Sequence, residues 1–267
     1  EIAAIRGVPA GKTVISPSSH RAFSTPRGLL EFLANLRQLS SGKPVGFKLC
    51  VGRPADFFAI CKAMLETGFT PDFITVDGGE GGTGAAPLEF SNSVGMPACD
   101  AWVFVHNALT GIGLRDQISI VASGKILTGF HMARALALGA DLCVSARGMM
   151  LALGCIQALR CNSGHCPTGI TTQNPSLVHG LHVVGKAERV EYYHEGTVKG
   201  FLELLAAMGL RHPAQLGPDH VFRRISNTQV RCFREIYNFM TDGQILRDDD
   251  VPVELSQEWE VANPDRW

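Results

Sequence analysis

The chain has 267 residues, 45% of them hydrophobic and 18% charged, with a formal net charge of −1 at pH 7. That balance supplies a large core and excludes a nucleic-acid binder, which would show a basic stripe where here Lys and Arg are scattered. It also excludes a membrane span, because the longest apolar runs, such as Met149–Gly154 and Trp102–Val105, fall far short of the roughly 20 residues a span needs.

The chain opens on Glu1 and carries no signal peptide, as expected of a fragment or a processed product. Lys12–Ile15 reads as a short strand ending in Ser16-Pro17. Ser24-Thr25-Pro26 starts a helix, with a hydroxyl cap, Pro in the first turn and a stripe of Leu29, Leu30, Leu33, Leu36 and Leu39. Pro44–Leu49 is the next strand, and a helix over Ala55–Glu66 follows, ended by Gly68. Phe73–Val76 is a third strand, opening into the long loop from Asp77 to Pro87. After a helix near Ala101–Leu109, Ile118–Ala122 is the fourth strand. Thr128 caps a helix over Gly129–Leu138, and Leu142–Val144 is the fifth strand. Strand, loop and helix recurring in this way predict βα units on a parallel sheet. After Gln173 the rhythm stops, Lys186–Ala207 reads as one long helix, and the polar remainder reads as an extension on the outside. The expected division is therefore 1–180 and 181–267. A complete eight-stranded barrel takes about 250 residues, so the five strands are expected to be strands 4–8, with the first three units upstream of Glu1.

Of eight cysteines, Cys50, Cys61, Cys99, Cys143 and Cys232 lie scattered in mostly apolar surroundings, as small hydrophobes do in a reducing, cytoplasmic compartment. Cys155, Cys161 and Cys166 are clustered, with Pro167 following the last. Three thiolates so spaced can hold an iron–sulfur cluster. The spacing alone equally admits a structural zinc with His165 as fourth ligand, or unrelated core thiols.

Ser123-Gly124-Lys125 and Ser145-Ala146-Arg147-Gly148 follow the last two strands. In (β/α)8 barrels the loops after strands 7 and 8 often bind a phosphate, small residues let the backbone approach it, and an Arg fork matches its geometry. Two ordinary βα turns would read the same. Gly79, Gly81 and Gly84 formally make a G-x-G-x-x-G, but Ala85-Ala86-Pro87 replaces the helix that a dinucleotide fingerprint needs. Gly81, Gly82, Thr83 and Gly84 fit a substrate-facing loop better, with Glu80 as an acid/base or anchoring carboxylate or simply a solvated residue. Lys48 sits near the end of an apolar strand, where a cation can face a flavin or merely reach solvent.

Together, Ile15-Ser16-Pro17 with His20, Val45–Leu49 with Lys48, the Gly81–Ala85 loop, Leu114-Arg115-Asp116, Thr128-Gly129 and Ala152–Cys155 with its continuation to Gln173 resemble the FMN-binding domain of glutamate synthase. Stand-alone FMN-binding members are the most similar. The resemblance implies a (β/α)8 barrel of the α/β class, FMN, and a [3Fe-4S] cluster on Cys155, Cys161 and Cys166. It implies that Lys48 approaches the flavin and that Ser123, Gly124, Lys125, Ala146 and Arg147 hold its phosphate. The implied reaction passes electrons through the cluster and flavin to 2-iminoglutarate, from 2-oxoglutarate and ammonia, giving L-glutamate. The implied partners are an electron-donor protein or reductase subunit and a glutaminase-type ammonia source. An N-methylglutamate-forming oxidoreductase, or an electron-transfer subunit without a substrate site, would use the same residues. This sequence departs from the family in reading Ser123-Gly124-Lys125 for Asp-Gly-Gly, in Ala86 where Ser commonly precedes the Pro, and in beginning at Glu1 without a glutaminase domain.

Overall fold

A computed structural model describes every residue except Glu1, Ser16, Thr83, Ala85, Leu88 and Asp248 to Asp250, together with the side chain of Ile2. A short helix, α1 (Ile2–Arg6), precedes α2 (Pro26–Leu39), and four strand–helix units begin at Gly46. They are β1 (Gly46–Cys50), α3 (Pro54–Thr67), β2 (Phe73–Asp77), α4 (Ala98–Gly111), β3 (Ser119–Ala122), α5 (Gly129–Ala137) and β4 (Leu142–Cys143). The fourth unit is interrupted by α6 (Arg147–Ala152) and α7 (Pro175–Val178) before its long helix, α8 (Val183–Ala207).

The strands are all parallel and lie in the order β1-β2-β3-β4. Crossovers between parallel strands are right-handed. A strand order that never reverses therefore puts every crossover helix on one face, as in one arc of a (β/α)8 barrel. A doubly wound sheet would reverse and clothe both faces. Burial agrees with the arc. Ile74, Val76, Ile120 and Ala122 are fully buried, on the helix side. Register aligns Lys48, Thr75, Val121 and Leu142 in one row on the other side, where Leu142 is 57% exposed.

Expected caps form. The Thr25 hydroxyl accepts the Gly28 N–H at 3.0 Å, Thr128 accepts the His131 N–H at 3.4 Å, and Gly68 ends α3 in the left-handed conformation at φ 67°. Trp102 is completely buried, and its indole N–H donates to the Val76 carbonyl at 3.1 Å. Burying so large a side chain costs little once that donor is satisfied.

The strand expected at Lys12–Ile15 is corrected: this segment has no regular structure, and Val14 and Ile15 stand 61% and 86% exposed. Two apolar residues between Gly11 and Pro17 bury too little to fix a strand held from one side only. The sheet therefore has four of the five strands assigned to positions 4–8. The βα rhythm also does not end at Gln173. It is broken by the cysteine segment and completed by α8, which packs on α5 and α6.

The remaining residues wrap the helix layer. They form a hairpin of β5 (Phe222–Arg224) and β6 (Val230–Cys232), then α9 (Phe233–Ile236) and α10 (Val253–Val261). Asn107 on α4 is buried and acts as a backbone mimic, donating to the Asn238 carbonyl at 2.6 Å and accepting the Met240 N–H at 3.1 Å. On α10, Trp259 meets Phe58 edge-on at 5.4 Å and lies under the Lys62 ammonium at 4.8 Å. Arg27 grips both Glu66 and Asp265.

Beneath the sheet, Arg115 donates to His106 Nδ1 at 3.1 Å, to the Ile118 and Gly139 carbonyls and to Asp141. Burial, then the Arg115 charge, push His106 down to a pKa of about 4. A histidine kept neutral in the fold but free to protonate when unfolded stabilises fully above its ordinary pKa of about 6.5 and loses that contribution as pH falls toward 4. Unfolding free energy should therefore drop by up to about 3 kcal/mol over that window. Urea titrations at several pH values check this, and His106→Gln should flatten that part of the profile.

Candidate functional site

A cleft of about 460 Å³ opens at the C-terminal ends of the four strands. It is lined by Lys48 from β1, Asp77 from β2, and the loop residues Glu80, Gly81, Gly82 and Gly84. Ser123, Gly124 and Lys125 follow β3, and Val144, Ala146 and Arg147 follow β4. Met150, Cys155, Cys161 and Thr171 complete the wall. Almost every residue singled out from the sequence is thus in one place. Thr83 lies outside the described residues, and Cys166 does not line the cleft.

The carboxylates of this site are already engaged. Lys48 Nζ pairs with Asp77 Oδ2 at 2.6 Å, and the Asp77 side chain is only 13% exposed. Asp77 Oδ1 also accepts the Gly78 N–H at 3.0 Å. The two oxygens of Glu80 accept the Ala98 N–H at 3.2 and 3.0 Å. Ala98 is the first residue of α4, whose N-cap, Pro97, makes no side-chain capping bond. An anion is favourable there because the first N–H groups of a helix lack partners. Glu80 therefore ties the glycine loop to α4 as well as facing the cleft.

Two further cations line the cleft. Lys125 adopts the left-handed conformation at φ 53°, unusual for a residue with a side chain, and donates to Asn92 Oδ1 at 3.2 Å. Gly124, at φ 116°, passes so close to α4 that a Cβ would sit 2.8 Å from that of Ala98. Arg147, the first residue of α6, lines the same cleft. This donor set, two cations and a glycine turn in one cleft, suits a phosphate. The sequence expectation for the FMN phosphate therefore fits the residues present, and Lys48 lines the same cleft.

The cysteines behave differently. Among the described residues no three His, Cys, Asp or Glu side chains are gathered closely enough to hold a metal ion. Cys155 and Cys166 are served locally instead. Cys155 accepts the Gln157 N–H at 3.4 Å. For Cys166, burial opposes the thiolate, but the Thr168 hydroxyl and the N–H groups of Thr171, Thr168 and Ile170 outweigh it and pull the pKa down to about 6. As placed, Cys155, Cys161 and Cys166 do not fit a shared [3Fe-4S] cluster, nor does His165 join a zinc site; its Nδ1 lies 2.8 Å from the Ser163 carbonyl. Spacing alone could not decide this, because left-handed turns at Gln157 and Leu159 set where the sulfurs go.

Sequence reasoning missed Asp77, Asn92, Met150 and Thr171. Asp77 carried a usable signal, since it is the last residue of β2 and directly opens the glycine loop. The other three have no local signature. His20 stacks on Phe23 with ring centroids 4.6 Å apart and accepts the Ala22 N–H, a structural role. No helix among the described residues is long and apolar enough to cross a membrane.

Residues 1–211 match the model of the conserved region in glutamate synthase. The chain is 41% identical over 242 residues to the glutamate synthase large subunit-like protein YerD of Bacillus subtilis, covering 90% of this chain and 46% of that protein. It is 36% identical over 211 residues to the archaeal glutamate synthase (NADPH) of Methanocaldococcus jannaschii, covering 79% and 41%. Against the glutamate synthase (NADPH) large chain of Bacillus subtilis it is 28% identical, covering 82% and 15%. The chain thus spans about half the length, or less, of the curated relatives it matches. Both the conserved-region match and the identity to these relatives place this chain in the glutamate synthase family.

Proposed function

We propose that the cleft binds FMN, with its phosphate between the Gly124–Lys125 and Ala146–Arg147 loops, in an oxidoreductase that reduces 2-iminoglutarate to L-glutamate. The carrying observation is the charge layout. Lys125, Arg147 and the Gly124 turn line the same cleft as two carboxylates that are already engaged, Asp77 by Lys48 and Glu80 by the α4 N–H. Bound FMN would supply hydride chemistry that no side chain here can provide. Lys48, held by Asp77, keeps a fixed positive charge where the flavin ring would lie. Glu80, Gly81, Gly82 and Gly84 line the substrate-facing loop, whose backbone approaches the substrate carboxylates while Glu80 anchors it. Cys155, Cys161 and Cys166 have no part in this reading, because their sulfurs share no common point.

Relatives bearing NADPH in their names support a reduced nicotinamide as the ultimate electron source. It would act through a reductase partner, with ammonia from solution or a glutaminase-type partner. The test measures bound flavin, then donor oxidation with 2-oxoglutarate plus ammonia or plus methylamine. Yellow protein turning over only with ammonia is expected. Turnover only with methylamine moves the substrate to N-methylglutamate formation. Flavin with no turnover on either amine makes this an electron-transfer unit, and colourless protein removes the flavin itself.

A further inference from the structure

Two loops can share one phosphate only if their spacing is fixed, and the β3–β4 ladder fixes it at their base, where the Val144 N–H donates to the Ala122 carbonyl at 2.9 Å. Further contacts behind the cleft hold the loops themselves. The Ser145 hydroxyl, on the loop after β4, donates to the Ile126 carbonyl on the loop after β3 at 2.6 Å. Tyr193, eleven residues into α8, donates its phenol hydrogen to the Leu127 carbonyl at 2.8 Å. The same phenol oxygen backs directly onto Gly148, where an added Cβ would overlap it and would lie 2.7 Å from Ser145 Oγ. Leu127 is two residues beyond Lys125, and Gly148 is next to Arg147.

We propose that Tyr193, assisted by Ser145, is a positioning residue that sets the distance between the two anion-holding loops and so the preference for a phosphorylated flavin; this rests on the FMN reading above. Tyr193 touches neither the cleft nor its cations. Its effect passes through the Leu127 carbonyl and the Gly148 backbone. A phenol suits that task because its rigid ring carries one donor to a carbonyl that would otherwise go unpaired. Without the hydroxyl, the loop after β3 is free to lift, and Lys125 leaves Arg147.

The experiment titrates the flavin-free full chain with FMN and with riboflavin, which lacks the phosphate, following quenching of flavin fluorescence. The native protein should prefer FMN. Tyr193→Phe should weaken FMN about tenfold and leave riboflavin unchanged, and Ser145→Ala should act in the same direction. Tyr192→Phe, at a neighbour 69% exposed, should change neither. If Tyr193→Phe does not fold, the flavin preference of Ser145→Ala decides the matter. Equal losses for both flavins, or an intact FMN preference in the variants, would overturn the positioning role while leaving the flavin site standing. A native protein that binds no FMN would overturn the flavin reading itself, and this inference with it.

Discussion

Lys48→Ala is expected to slow turnover of the flavin-loaded protein by about 100-fold, the scale on which a single preorganised charge at a reacting centre acts. The residue sits on β1 with its ammonium 2.6 Å from Asp77. That contact makes the variant worse than a simple loss of charge. Asp77, with a side chain only 13% exposed, would keep a carboxylate in the cleft with no cation beside it. A lone negative charge there opposes the negative charge that a flavin gains on reduction. Flavin content should fall as well. Lys48→Met combined with Asp77→Asn restores the net charge and should recover FMN binding without recovering turnover. Rates of flavin reduction and bound FMN per chain separate the two effects. Unchanged reduction in Lys48→Ala would remove Lys48 from the chemistry.

Gly129→Ala is expected to cost about 3 kcal/mol, at the upper end for overpacking, and to lower Tm by roughly 10 °C in a chain of this size. Gly129 opens α5, and there α5 lies directly on the backbone of α8. A Cβ at this position would overlap the Phe201 nitrogen and lie 2.7 Å from the Gly200 carbonyl carbon. Both obstacles are main chain in the interior of a 25-residue helix, so neither can turn aside. The helices would have to part, uncovering Phe201 and Leu205, which are 5% and 3% exposed. Gly196→Ala, in the same helix, supplies the contrast. Nothing lies within 4 Å of its added Cβ, and replacing an open helical glycine should stabilise by up to about 1 kcal/mol. Thermal unfolding of the two variants should therefore move in opposite directions.

These expectations differ in how far the sequence alone could reach them. The alternation of apolar runs, glycine loops and helical stripes placed β1 to β4, α2 to α5 and the span of α8 within a few residues, because periodicity and caps are local properties. The same reading put Lys48, Glu80, the glycine loop, Gly124 and Arg147 in one site. Residues that follow the C-terminal ends of parallel strands are brought together by the topology itself, whatever their separation along the chain.

Three matters lay beyond that reach. Lys12–Ile15 resembles a strand in composition, yet a strand exists only where a neighbour accepts its hydrogen bonds. The spacing of Cys155, Cys161 and Cys166 permits a shared ligand, yet with left-handed residues at Gln157 and Leu159 between the first two, the three sulfurs do not gather. Glu80 was legible as a loop carboxylate, but its partner, the first N–H of α4, comes from a helix whose start the sequence placed three residues late. The largest difference concerns α8. Read along the chain, it follows an irregular segment and belongs to an outer extension. In the fold, its Tyr193 holds the Leu127 carbonyl and its backbone at Gly200 and Phe201 seats α5. Sequence determined which residues could serve the cleft, because strand ends and turn residues announce themselves locally. Only tertiary structure decided what holds them at working distance, because those contacts join residues as far as 66 and 72 positions apart and leave no periodic trace.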